Sequence, residues 1–156
     1  MPPPQLINTD YAVTDHHRRT YQADGFIRLS HVFDEPTLAF YEPEITQQIL
    51  AKNRFADVPL EQRSTYHRAF VQVSQLWQKS DIVRTLTFSR RLARLAAELM
   101  GTRSVRLYHD QALYKERGGG ITPWHADQQY WPLASDKCVT AWIPLHAVPV
   151  EMGAGV

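Results

Sequence analysis

Two spacings of apolar residues divide the chain near residue 101. Before it, apolar positions recur every three or four residues, the helical interval; after it they alternate with polar ones, the extended interval. Residues 14–23 read as a short helix with Thr14 or Asp15 as its cap, broken by Gly25. The following Gly25-Phe26-Ile27-Arg28-Leu29 reads as a short strand. Asp34-Glu35-Pro36 has the form of a helix start, a capping acid followed by an acid and a proline in the first turn. That helix should run toward residue 52, with Pro43 kinking or delaying it. Residues 53–64 are polar and predict a loop. Residues 66–77, rich in aromatic and β-branched side chains, fit either a strand or an irregular wall. The clearest helix is 89–100: Ser89 caps it, Leu92, Leu95, Ala96, Leu99 and Met100 share one face, and Gly101 supplies a left-handed stop.

Residues 105–114 predict a long strand. Its odd positions share one face: Val105, Leu107, His109, Gln111 and Leu113, with Lys115 beyond. Gly118-Gly119-Gly120 forms a flexible turn, and residues 139–145 form a second strand ending near Pro149. Helices first and strands later indicate an α+β architecture, with the helices of 1–101 backing a mostly antiparallel sheet begun in 102–156. Residues 1–4 read as a frayed start.

At 156 residues the chain fits one domain. The net charge of +1 gives no bulk attraction to nucleic acid or to a membrane surface. Arg90, Arg91 and Arg94 read as a solvated helix face. A lone cysteine, Cys138, makes no internal disulfide and no zinc knuckle, and fits a buried, inert thiol in a reducing cytoplasm. No basic-then-apolar leader and no apolar run of membrane-spanning length occurs. The glycines precede no Gly-Lys-Ser/Thr, and there is no Gly-x-Ser-x-Gly, so phosphate-loop and Ser-hydrolase chemistries find no support.

The informative segment is Pro123-Trp124-His125-Ala126-Asp127-Gln128-Gln129-Tyr130-Trp131-Pro132. On an extended backbone, residues two apart point to the same side. An imidazole and a carboxylate spaced as His125 and Asp127 can therefore converge on one metal ion. Two histidines and a carboxylate on one face of an octahedron leave three positions open, two for a 2-oxo acid and one for dioxygen. Taken alone, His-x-Asp fits a surface histidine beside a solvated aspartate better than a metal pair. Trp124 before the pair, Tyr130-Trp131 after it, and the glycine turn upstream change that weighting.

With these features the chain resembles the phytanoyl-CoA dioxygenase family. The resemblance is carried by Gln111-Ala112-Leu113-Tyr114-Lys115, the glycines, Pro123-Trp124-His125-Ala126-Asp127 and Tyr130-Trp131. Asp24-Gly25-Phe26-Ile27-Arg28-Leu29 with Val32-Phe33, and the later stretch with Trp142 and Glu151-Met152-Gly153, extend it over nearly the whole chain. It implies a double-stranded β-helix, a jelly-roll or cupin-like barrel, with supporting N-terminal helices. It implies Fe(II), 2-oxoglutarate and O₂, with a small organic substrate hydroxylated as succinate and CO₂ are released. His125 and Asp127 match the first two iron ligands. His109, Gln111 and Leu113, and Trp142 on the following strand, match positions lining the co-substrate pocket, and Trp124, Tyr130 and Trp131 would wall it. Competing roles stand beside these: His109 as a hydrogen-bonded barrel histidine, Gln111 paired with a neighbouring strand, Trp142 as core. Lys115, beside Glu116 and Arg117, fits solvent exposure.

The family's distal histidine, and the arginine that clamps the far carboxylate of 2-oxoglutarate, have no counterpart before Val156. His146 does not match that position, and His16, His17, His31 and His67 match no ligand. The expectation is a truncated domain, inactive alone, of undetermined oligomeric state. The alternative is a non-catalytic cupin-like domain that binds a metal or small molecule.

Overall fold

A computed structural model of the chain describes residues 2–122, 125–149 and 151, with the side chain of Gln128 left aside. Five helices and a two-stranded sheet make up its regular structure, with short 3-10 turns between them. The architecture is thus a mixture of helices and a small sheet, compatible with the α+β expectation.

Local capping fixes most helix ends. Helix α1, Asp15–Asp24, starts where the Thr14 side chain accepts from the backbone N–H of His17, and stops at Gly25, whose φ is 78°. Helix α2, Glu35–Ala51, starts where Asp34 accepts from Thr37 N. Pro43 lies inside it, so the carbonyl of Ala39 has no N–H to receive at that turn. Helix α3, Thr65–Ala69, and helix α4, Asp81–Thr87, begin at Ser64 and Ser80 in the same manner. Helix α5, Arg90–Met100, is capped by Ser89 and ends at Gly101 with φ 64°.

The stretch over 66–77 proves composite. It holds the end of α3, strand β1 at Val71–Ser74, and a 3-10 turn at Leu76–Gln78. Strand β2, Gln111–Tyr114, pairs antiparallel with β1, Val71 opposite Tyr114 and Ser74 opposite Gln111. Alternation gives the sheet two faces. Val71, Val73 and Ala112 turn toward α2 and the core, while Gln72, Ser74, Gln111 and Leu113 face outward.

The long strand expected over 105–114 is therefore paired only in its last four residues. Pairing needs a partner backbone as well as an alternating sequence, and β1 ends at Gln75, which takes a left-handed conformation with φ 59°. The runs at 25–29 and 139–145 likewise form no ladder among the described residues. In the latter, alternation still directs the packing: Ile143 and Leu145 lie against the core, while Trp142 is 62% exposed.

The core gathers Tyr41, Ile45 and Ile49 from one face of α2, Val71 and Val73 from β1, Val83 and Leu86 from α4, and Ile7, Phe33 and Leu76 from connecting segments. Tyr41 is fully buried and its hydroxyl shares a 2.9 Å hydrogen bond with Thr85. On α5 the burial differs from the expected face. Ala97 and Leu99 are buried, Leu92, Leu95, Ala96 and Met100 are half-buried, and Arg91 is buried too. The solvated arginine face thus holds for Arg90 and Arg94, which pair with Asp10. It fails for Arg91, whose guanidinium donates to the carbonyls of Val32, Thr9 and Asp10 and to Thr9 Oγ1. Carbonyls presented inward by segments adjoining α5 replace the water that the periodicity alone would assign it.

Candidate functional site

The segment bearing the His-x-Asp pair leaves the sheet through the glycine turn. Lys115, just past β2, sends its ammonium to the carbonyls of Gly120 at 2.8 Å and Ala69 at 3.3 Å. It is exposed, as expected, yet it closes the turn. Gly120 N donates to Arg68 O at 2.7 Å, and a Cβ on Gly119 would stand 2.9 Å from that same oxygen. The turn is thus docked on the end of α3, where only glycine fits at 119. This docking replaces the flexible turn expected from composition.

Beyond it, Ala126 is extended (φ −117°, ψ 124°), and Asp127 opens a 3-10 turn, Asp127–Tyr130. The two side chains flanking Ala126 point to a common region: His125 Nε2 lies 3.5 Å from Asp127 Oδ1. A direct N–H···O hydrogen bond would be shorter, at about 2.7–3.2 Å. Two donors each about 2.1 Å from one ion stand about 3.0 Å apart at a right angle and about 3.4 Å apart at a tetrahedral angle. The observed separation is longer than a direct hydrogen bond and than the spacing of neighbouring octahedral ligands, and falls within ion-pair range; imidazole with carboxylate is a donor set that Fe(II) accepts. Among the described residues no third His, Cys, Asp or Glu joins the pair.

Asp127 is held from its other side as well. Thr140 Oγ1 donates to Asp127 Oδ2 at 2.7 Å. Sequence reasoning did not single out Thr140; a hydroxyl in the alternating run 139–145 was its only signal. Around the pair, the Tyr130 ring meets His125 edge-on at 6.2 Å. Trp131 packs against His109 at 5.7 Å and Tyr108 at 5.6 Å, joining the approach to β2 to the His-x-Asp segment. His109 thus has an aromatic partner from the expected wall. Trp124 and Pro123 lie outside the described residues, as do Met152 and Gly153.

Gln111 stands on the outward face of the sheet, where Gln72 Nε2 of the neighbouring strand donates to its Oε1. Tyr66 donates in turn to Gln72 Oε1. Neither Tyr66 nor Gln72 was foreseen, because the register of β1 on β2 brings them beside Gln111. Leu113 shares this face, 43% exposed, and Trp142 is exposed on its own segment. The structure therefore gathers His125, Asp127, Thr140 and Tyr130 in one group, His109 with Trp131 in a second, and Gln111 with Gln72 and Tyr66 in a third. Leu113 and Trp142 are not among these contacts. Cys138 is half-buried, and Tyr21, whose hydroxyl pKa is raised by burial and then by the charge of Cys138, is its electrostatic neighbour. No described helix is long and apolar enough to cross a membrane.

A family model described as phytanoyl-CoA dioxygenase (PhyH) matches residues 21–155. No curated protein and no solved structure matches the chain.

Proposed function

The chain belongs to the phytanoyl-CoA dioxygenase family, and from that premise we propose that it forms the first part of a non-haem Fe(II)/2-oxoglutarate-dependent oxygenase site that hydroxylates a small organic substrate. One observation carries the reading: the side chains of His125 and Asp127 face one another across Ala126, with Nε2 3.5 Å from Oδ1, so that an imidazole and a carboxylate are turned to one region. In this reading residues 1–101 are the helical support and 102–156 contribute the first segments of a double-stranded β-helix. The chain works in the cytoplasm, where Cys138 needs no disulfide partner.

When bound, Fe(II) with 2-oxoglutarate and O₂ supplies the oxidising power for C–H hydroxylation, which no side chain provides. The chain's own residues bind and orient. His125 would offer an imidazole nitrogen and Asp127 a carboxylate oxygen. The docked glycine turn holds the segment that carries both. Gln111, with its oxygen engaged by Gln72, keeps its amide N–H groups for an acceptor such as a 2-oxo acid carboxylate. By the family resemblance His109, Leu113 and Trp142 would line the co-substrate side, with Leu113 and Trp142 exposed outside the contacts around His125, and Tyr130 and Trp131 would flank the ion.

Anaerobic titration of the chain with Fe(II) or Mn(II), followed by calorimetry, tests the reading. Saturable binding is expected, weakened at least about tenfold by His125→Ala and by Asp127→Ala. Equal binding by the wild type and His125→Ala would overturn it. Binding of 2-oxoglutarate to the metal-loaded but not the metal-free chain, read in the same calorimeter, then separates an oxygenase site from a cupin that binds the metal alone.

A further inference from the structure

Resting on the metal reading of His125 and Asp127, we infer that Thr140 is the positioning residue of the ligand carboxylate: its hydroxyl engages Asp127 Oδ2 and leaves Oδ1 as the single oxygen offered to the ion. A carboxylate has two oxygens and can occupy one or two coordination positions. A site that must keep three positions open for a bidentate co-ligand and O₂ has none to give to a second oxygen of the same aspartate. The structure supplies a device for this. Thr140 Oγ1 lies 2.7 Å from Oδ2, within the range of a hydroxyl donating to a charged carboxylate, while Oδ1 is the atom turned to His125 Nε2.

The Thr140 hydroxyl comes from outside the motif. Asp127 sits at the start of a short 3-10 turn, and its side chain is 34% exposed. A solvated carboxylate there would sample several rotamers. Thr140 belongs to a segment anchored at both ends. On one side, Lys137 Nζ reaches Met100 O at the end of α5, at 3.3 Å. On the other, Ile143 and Leu145 pack on the core. The hydrogen bond therefore ties the ligand's orientation to the hydrophobic core through a residue thirteen positions away. A β-branched threonine also restricts χ1 more than serine does, which favours one hydroxyl position.

The test uses metal binding and a vibrational readout on the full chain. Thr140→Val keeps shape and β-branching but removes the donor; Thr140→Ala removes both, and Thr140→Ser keeps the hydroxyl. Fe(II) and Mn(II) affinities are measured anaerobically. The infrared splitting between asymmetric and symmetric carboxylate stretches is compared in metal-loaded and metal-free protein. The expected outcome is a loss of about tenfold or more in Thr140→Val and Thr140→Ala, with Thr140→Ser recovering most of it. The carboxylate splitting should narrow in Thr140→Val, as a bidentate aspartate requires, while the metal-free melting temperature stays near that of the wild type. If Thr140→Val binds as tightly as wild type with unchanged splitting, while His125→Ala weakens binding, the positioning role is overturned and the metal site stands. If wild type and His125→Ala bind alike, the metal reading falls and this inference with it.

Discussion

Arg63 and Glu116 join the loop before α3 to the start of the glycine turn through an ion pair whose guanidinium side chain is only 4% exposed. Arg63 also donates to the carbonyls of Val58 at 2.8 Å and Phe55 at 2.7 Å, and lies over the Phe55 ring. Removing it leaves the Glu116 carboxylate and the carbonyls of Val58 and Phe55 without these donors. Arg63→Met is expected to cost about 2–4 kcal/mol in urea unfolding. Glu116→Gln, which keeps a hydrogen-bond acceptor, should cost less, about 1 kcal/mol. Equal losses in the two variants would count against the pair as the link between these segments.

The glycine turn should be selective about which of its members is replaced. A Cβ at 119 meets backbone oxygens of Arg68 and Glu116 at 2.9 and 3.0 Å, and neither can move alone. Gly119→Ala is expected to destabilise by about 1–3 kcal/mol. At 118 the obstacle is a positive φ of 76° rather than space, and Gly118→Ala should cost about 1 kcal/mol. Gly120, with nothing nearer than 3.6 Å, should tolerate alanine best. Denaturation midpoints rank the three, and metal titration of Gly119→Ala should show weakened binding, since the turn leads into His125.

Arg91 is a buried cation satisfied mainly by carbonyls, so its replacement is expected to be among the costliest on α5. Arg91→Ala removes donors to Val32, Thr9 and Asp10 together and should cost about 2–4 kcal/mol. Arg90→Ala, on the exposed side with one partner at Asp10, should stay below about 1 kcal/mol. Thermal or urea unfolding of the two variants side by side measures the contrast.

Acid should loosen the contact of α1 with α5. A hydrogen bond from Arg94, opposed next by burial and then aided by a hydrogen bond from Arg18 and the charges of both arginines, holds the Glu98 carboxyl below its ordinary value. Hydrogen bonds from Thr37 do the same for Asp34 at the start of α2. Both carboxyls bind their proton less readily in the folded chain than in the unfolded one. Their contribution is full above the unfolded carboxylate pKa, about 4–4.5, and is lost as pH falls through the lower folded values. Melting temperature should therefore drop on acidification below about pH 4.5, and less steeply in Glu98→Gln.

Helix ends were legible because a cap is a local device. Thr14, Asp34 and Ser89 each accept from an N–H three residues on, and Gly25 and Gly101 take the left-handed turn that others resist. Strand extent was not legible in this way. Alternation over 105–114 is real, but only the last four residues find a partner, and the partner's length is set by Gln75 nearly forty residues earlier. Arg91 was misplaced for a related reason: periodicity sees its neighbours on α5 and not the carbonyls of Thr9, Asp10 and Val32. At the site, the His-x-Asp spacing announced a possible convergence. The residues that brace it or share its surroundings, Thr140, Gln72 and Tyr66, carried no mark that spacing could reveal.

By itself the sequence determined the starts and stops of α1, α2 and α5 and the His-x-Asp spacing at 125 and 127. These depend on interactions spanning a few residues, whose energies the local order of side chains already contains. The tertiary structure decided which extended residues are paired, where the glycine turn docks, that a cation is buried on α5, and which oxygen of Asp127 is engaged by Thr140. Those outcomes depend on backbone and side-chain groups brought together from distant parts of the chain, and a partner far along the sequence leaves no periodic trace.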